Sequence, residues 1–123
     1  MNKTRALFLN LLALIAIFSF ASFTQAQQSS ALKPLDAKYV CMITNQEFVK
    51  EQIPVEVDGK TYYGCCEMCK AKIKNNAQAR VAIDPVSGNQ VDKAVAVIGS
   101  APDGSIYYFE SEENMSSYNP YVN

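Results

Sequence analysis

A six-residue signature occurs twice in this chain. Asp58-Gly59-x-x-Tyr62-Tyr63 returns as Asp103-Gly104-x-x-Tyr107-Tyr108 at an offset of 45, and Asn45-Gln46 returns as Asn89-Gln90 at an offset of 44. Asp-Gly is a strong hairpin-turn signal, because both residues tolerate the positive φ that a two-residue turn needs. Each Tyr-Tyr pair runs straight into a helix start. Order and spacing therefore predict a duplicated hairpin-plus-helix unit within a small α+β fold. The first unit is expected over residues 39–79 and the second over residues 80–123.

Local chemistry fills in the elements. Residues 38–43 are apolar and β-prone and end at the turn-like Thr44-Asn45. Residues 54–57 alternate as a strand does, Asp58-Gly59 turns the chain, and residues 60–63 return. Residues 67–76 are good helix formers without Gly or Pro, and Cys69 and Ile73 lie four apart on one face. In the second half, residues 80–83 read as a strand, 84–88 as a turn, 93–98 as a strand and 105–109 as its return. Ser111 is placed to cap a short helix whose first turn holds Glu112 and Glu113. Tyr62, Tyr63, Tyr107 and Tyr108 alternate faces, so one of each pair should pack inward.

The first 26 residues are read apart from the fold. Lys3 and Arg5 precede an almost unbroken apolar run over residues 6–23, and Thr24-Gln25-Ala26 offers small residues at the −3 and −1 positions of a cleavage site. This predicts a secretory signal peptide over residues 1–26, hence a periplasmic or secreted protein that meets the membrane only through that segment. Residues 27–38 read as a polar linker. The 97 residues after the signal peptide carry nine basic and twelve acidic side chains, a net charge of −3. Such a scattered, mildly acidic balance gives no footprint for nucleic acid. The chain has no His, which removes Ser-His and Cys-His pairs, imidazole metal ligands and a histidine base. With no Gly-rich phosphate loop and no paired-carboxylate site either, no enzymatic activity is expected.

Sulfur is what remains. Cys41 precedes the first hairpin, and Cys65, Cys66 and Cys69 follow at the strand-to-helix junction. Small metal sites are built this way, with ligands on a turn and on the first helical turn. The helix N-terminus also favours thiolate. An all-sulfur donor set selects a soft or borderline ion, Cu(I) or Zn(II), over Mg or Ca. Met42 and Met68 flank the cluster in sequence and could add thioether sulfur, although such residues more commonly fill cores. Two other readings use the same thiols. In one, a disulfide from Cys41 to the cluster stabilises an exported interaction module by roughly 2–4 kcal/mol. In the other, Cys66-Glu67-Met68-Cys69 is the C-x-x-C of a thiol–disulfide oxidoreductase, but the pattern lacks the βαβ crossover of that class.

Residues 59–73 also bear a family resemblance. Cys41, then Lys60-Thr61-Tyr62-Tyr63-Gly64-Cys65-Cys66-Glu67-Met68-Cys69-Lys70-Ala71-Lys72-Ile73, resembles the TRASH and YHS families of small metal-binding domains. Their pattern is a cysteine, a spacer and then G-K-x-Y-Y-F-C-x-x-x-C-x-x-x-F. Gly64 stands where that pattern has an aromatic, and Ile73 where it has Phe. Asp84-Pro85-Val86-Ser87-Gly88 resembles the D-P-V-C-G opening of a YHS unit, with Ser87 in place of the cysteine. The resemblance implies treble-clef-like units and ligation of a metal ion by Cys41, Cys65 and Cys69; the residues themselves leave Cys66 a candidate fourth ligand. It further implies a role in metal trafficking, sensing or resistance, often for copper, with a transport or resistance protein of the cell envelope as partner. Aligned on the repeat, Cys41 matches Pro85, Cys65 Glu110, Cys66 Ser111 and Cys69 Asn114, so the second unit keeps no cysteine.

Overall fold

Residues 31–122 are described by a computed structural model, in which a short ladder, a hairpin and a helix follow one another twice. The expected signal peptide, and linker residues 27–30, lie outside the described residues. In the first half, β1 (Lys33–Leu35) and a 3-10 turn (Ala37–Tyr39) lead to β2 (Val40–Cys41), which pairs antiparallel with β3 (Gln46–Glu47). Then come β4 (Ile53–Val57), β5 (Lys60–Gly64) and α1 (Glu67–Asn75). In the second half, a 3-10 turn (Ala77–Arg80) precedes β6 (Val81–Ile83), which pairs antiparallel with β7 (Gln90–Asp92). They are followed by β8 (Val97–Ser100), β9 (Ile106–Phe109) and α2 (Glu112–Ser117).

The two hairpins turn differently. In the first, Val57 pairs with Lys60, and Asp58 and Gly59 take φ of 51° and 75°, as a two-residue turn with two positive φ values requires. In the second, Ser100 pairs with Ile106, so Asp103-Gly104 sits inside a wider loop. That loop is closed by Ala101 N–H donating to the Ser105 carbonyl at 2.9 Å.

Two segments depart from the sequence reading. Lys33–Leu35, taken as linker, forms β1 and pairs antiparallel with β8, matching Lys33 to Ser100 and Leu35 to Ile98. Its partner is remote in sequence, and a three-residue edge strand holding a proline has no local signal of its own. Residues 93–96, taken as strand, form a turn instead. Asp92 Oδ1 accepts Ala94 N–H at 3.0 Å, and the Asp92 carbonyl accepts Val95 and Ala96 N–H. The side chain thus offers the backbone an alternative to the ladder, and strand begins only at Val97.

One core spans both halves. Val40, Met42, Val55, Tyr62 and Ile73 from the first pack with Val91, Ile98 and Tyr108 from the second. The sheet β1-β8-β9 is covered on both faces, and its side chains divide with period two. Ile98, Ile106 and Tyr108 face this core, while Val97, Tyr107 and Phe109 join Leu32, Ala101 and Met115 on the other side. Among the described residues no helix is long and apolar enough to cross a membrane.

Candidate metal centre

Cys41 ends β2 at a tight turn. Asn45 N–H donates to the Cys41 carbonyl at 2.8 Å, and Asn45 takes the left-handed φ of 50° that Asn accepts more readily than most residues. Met42 N–H donates to the Tyr63 carbonyl at 2.9 Å, which fastens this turn to β5. At the end of β5, a Cβ on Gly64 would lie 3.0 Å from Cys69 Cβ and 3.3 Å from Lys70 N. A side chain at position 64 would press on the first turn of α1, which would have to give by a few tenths of an ångström. Cys65 then leaves the strand, and Cys69 sits on the inward face of α1 with Ile73.

These three elements bring the sulfurs of Cys41, Cys65 and Cys69 within 4.8 Å of one another, with Cys65 and Cys69 only 3.6 Å apart. Three sulfurs each about 2.3 Å from one ion stand roughly 4 Å apart, so the spacing suits a single ion. All three are free thiols; Cys41 and Cys69 are buried, and Cys65 is exposed. The donor set is sulfur alone, closed at its base and open at Cys65. Cys66, read from the sequence as a candidate fourth ligand, is not among the three clustered sulfurs. It is exposed and stands at the N-cap of α1.

The thiols differ in acidity. Burial pushes the Cys41 thiol up, but the Thr44 hydroxyl and the backbone N–H groups of Thr44, Ile43 and Cys65 outweigh it and bring it down to about 7. Cys69 is pushed up to about 12 by burial and by its contacts with the neighbouring cysteines. Cys65 is raised, first by its hydrogen bond with Cys41. Cys66 is lowered by the backbone N–H of Cys69 and by the Cys69 thiol. Cys41 is thus the most readily formed buried thiolate, anchored by a turn whose N–H groups point at it.

Behind Cys41 the second half supplies a cation that the sequence did not announce. Lys93 is 7% exposed; its Nζ donates to the Met42 carbonyl at 2.6 Å and to Asn45 Oδ1 at 3.3 Å. It also lies 5.0 Å from the Tyr108 ring centroid, and Tyr108 OH donates to the same Asn45 Oδ1 at 3.1 Å. Burial lowers the Lys93 pKa, while the charge of Cys41 raises it. No local pattern marks position 93, because the burial arises only when the two halves pack.

The second half has no sulfur cluster, yet a buried carboxylate takes the corresponding place. Asp84 is fully buried, and Gly88 N–H (φ 75°) donates to its carbonyl at 2.8 Å, as Asn45 does to Cys41. Asp84 Oδ1 accepts the N–H groups of Val86 at 2.7 Å and Ser87 at 3.3 Å, the positions that match Ile43 and Thr44. Asp84 Oδ2 accepts Glu110 N–H and Asn114 Nδ2, both at 2.8 Å, and these positions match Cys65 and Cys69. By its place in the turn, Asp84 rather than Pro85 stands where Cys41 does in the first half.

No family model, curated protein or solved structure matches the chain. What can be said of its chemistry rests on the residues themselves. They define a mixed α+β protein with a three-cysteine group close enough to hold a metal ion.

Proposed function

We propose that this is an exported metal-binding protein that captures a thiophilic ion, Cu(I) or Zn(II), through Cys41, Cys65 and Cys69. The observation that carries the reading is the convergence of three sulfurs, from a turn, a strand end and a helix, within 4.8 Å. Capture replaces thiol protons with the ion, and the soft donor set discriminates against hard cations. The resemblance of residues 59–73 to TRASH and YHS domains supports the same three ligands and a role in metal trafficking or resistance. The exposed edge at Cys65 suits an ion that is passed on, which favours transferable Cu(I) over a closed structural zinc site. Export rests on the signal-peptide pattern of residues 1–26, and the partner would be a metal-transport or resistance protein of the envelope.

In this reading the chain is two treble-clef-like units, the second a degenerate copy. The matching surroundings of Cys41 and Asp84 support that view: the second unit keeps the turn, hairpin and helix and closes them on a carboxylate. Its part is to complete the shared core and to place Lys93 behind Cys41.

The test compares bound metal, by elemental mass spectrometry, and free thiols in denaturant across three proteins. The wild type should hold one ion per chain with four titratable thiols, Cys69→Ser should hold little, and Glu110→Ala should match the wild type. Equal occupancy in the two variants would defeat the ligand assignment. The 3.6 Å approach of Cys65 and Cys69 also admits a disulfide-stabilised interaction module; absence of both metal and free thiols would establish that instead.

A further inference from the structure

Cys66 makes a choice that helix stability does not explain. It is the N-cap of α1, with φ −157° and ψ 173°, and its sulfur, a weak acceptor, faces the Cys69 N–H without making a full capping hydrogen bond. Ser111 holds the same place before α2 with nearly the same backbone, φ −151° and ψ 161°. There the hydroxyl accepts Asn114 N–H at 3.1 Å, the usual service of an N-cap side chain. The first helix forgoes that bond and keeps an exposed sulfur beside Cys65 in the chain. Two residues on, Met68 is 82% exposed, so its thioether adds little to the core. The sulfurs are therefore graded by depth: Met68, Cys66 and Cys65 at the surface, Cys69 at 6% exposure, and Cys41 fully buried.

We propose that Cys66 is the exchange ligand of this centre, the outer sulfur through which a carrier with sulfur donors loads and unloads the ion held by Cys41, Cys65 and Cys69. The inference rests on the metal-capture reading. A soft ion moves between sulfur sites by ligand exchange. The Cys66 sulfur–ion bond forms as a bond from the carrier's sulfur breaks; Cys66 releases a proton and the carrier's sulfur takes one up. Bonds to the triad then form as the Cys66 bond and the carrier's remaining sulfur–ion bonds break. Each triad thiol still protonated releases its proton, Cys66 and the departing carrier sulfurs take protons up, and the ion keeps its oxidation state throughout. A ligand outside the resting set changes the rate of this passage and leaves its equilibrium alone. The partner surface is the rim at the start of α1, where Cys65, Cys66 and Met68 are all exposed.

The experiment uses the full mature chain, with Cu(I) delivered as its glutathione complex. Affinity is read by competition with a chromophoric Cu(I) chelator and transfer by stopped flow. Cys66→Ser supplies the better capping residue, so loss of fold does not confuse the result. Transfer in Cys66→Ser should slow by about tenfold or more while affinity holds within about threefold, a split between rate and equilibrium that a merely structural role would not produce. Unchanged transfer would overturn the exchange role. An affinity loss as large as that of Cys69→Ser would also overturn it, by making Cys66 a resident fourth ligand. A wild type that takes up no Cu(I) would remove the capture reading for that ion, and the exchange role with it.

Discussion

Asn114 Nδ2 donates to the buried carboxylate of Asp84 at 2.8 Å, at the place where the first half of the chain brings the Cys69 sulfur to that of Cys41. In both halves the turn after a short ladder must be joined to the hairpin's end and to the first turn of the next helix. One half does it with clustered thiols, the other with a carboxylate that accepts four hydrogen bonds.

Asp84→Ala should therefore destabilise the metal-free protein severely. It strands the donors of Val86, Ser87, Glu110 and Asn114 and leaves a void, a loss of about 3–5 kcal/mol by comparison with other broken buried networks. Urea unfolding of the metal-free form checks this, and Asp84→Asn should lose less.

Acid should act through the same residue. Burial raises the Asp84 pKa, but the bonds from Asn114, Glu110, Val86 and Ser87 outweigh it and hold it below 3.8. The folded value is thus below the unfolded one, so its contribution is complete above the ordinary carboxylate value and is lost as pH falls through the folded value. Unfolding followed from pH 5 downward should show this loss in the wild type, and a shallower one in Asp84→Asn.

Gly64→Ala tests how the triad is held together. The new Cβ would meet Cys69 Cβ at 3.0 Å and backbone Lys70 N at 3.3 Å, so α1 must move away from β5. A cost of about 1–3 kcal/mol follows from overpacking of this kind, and metal affinity should fall with it. Gly99→Ala makes an instructive comparison. Its close neighbours are the flexible Leu32 and Met115 side chains, remote from the cysteines, so it should leave metal affinity unchanged.

Metal affinity should rise with pH, and its slope should change near neutrality. Cys69 at about 12 and the raised Cys65 are protonated throughout the physiological range, whereas Cys41 at about 7 is protonated only below it. Binding to the triad then displaces about three protons per ion below pH 7 and about two above it. Competition titrations across pH 5.5–8.5 read those slopes directly.

The hairpin at Asp58-Gly59, the helix after Cys66 and the capping role of Ser111 were all legible in sequence, because each rests on local chemistry. So was the gathering of cysteines at the strand-to-helix junction, although spacing alone put Cys66 on a par with the three that converge, Cys41, Cys65 and Cys69. The unread features depend on remote contacts. β1 exists because β8 offers it an edge, and Asp92 stops a strand because Lys60 Nζ and Tyr62 OH hold its carboxylate at 2.6 and 2.9 Å. Asp84 reads as an ordinary turn residue until Glu110 and Asn114 arrive from 26 and 30 residues away. Lys93 reads as a solvated lysine until the Met42 carbonyl closes over it.

X-ray absorption on the metal-loaded protein tests the central claim most directly. The account predicts a first shell of sulfur only, three atoms near 2.3 Å as for zinc–thiolate bonds or comparably close for Cu(I), that loses one sulfur in Cys41→Ser. A shell dominated by oxygen or nitrogen, or one that Cys41→Ser leaves unchanged, would contradict it.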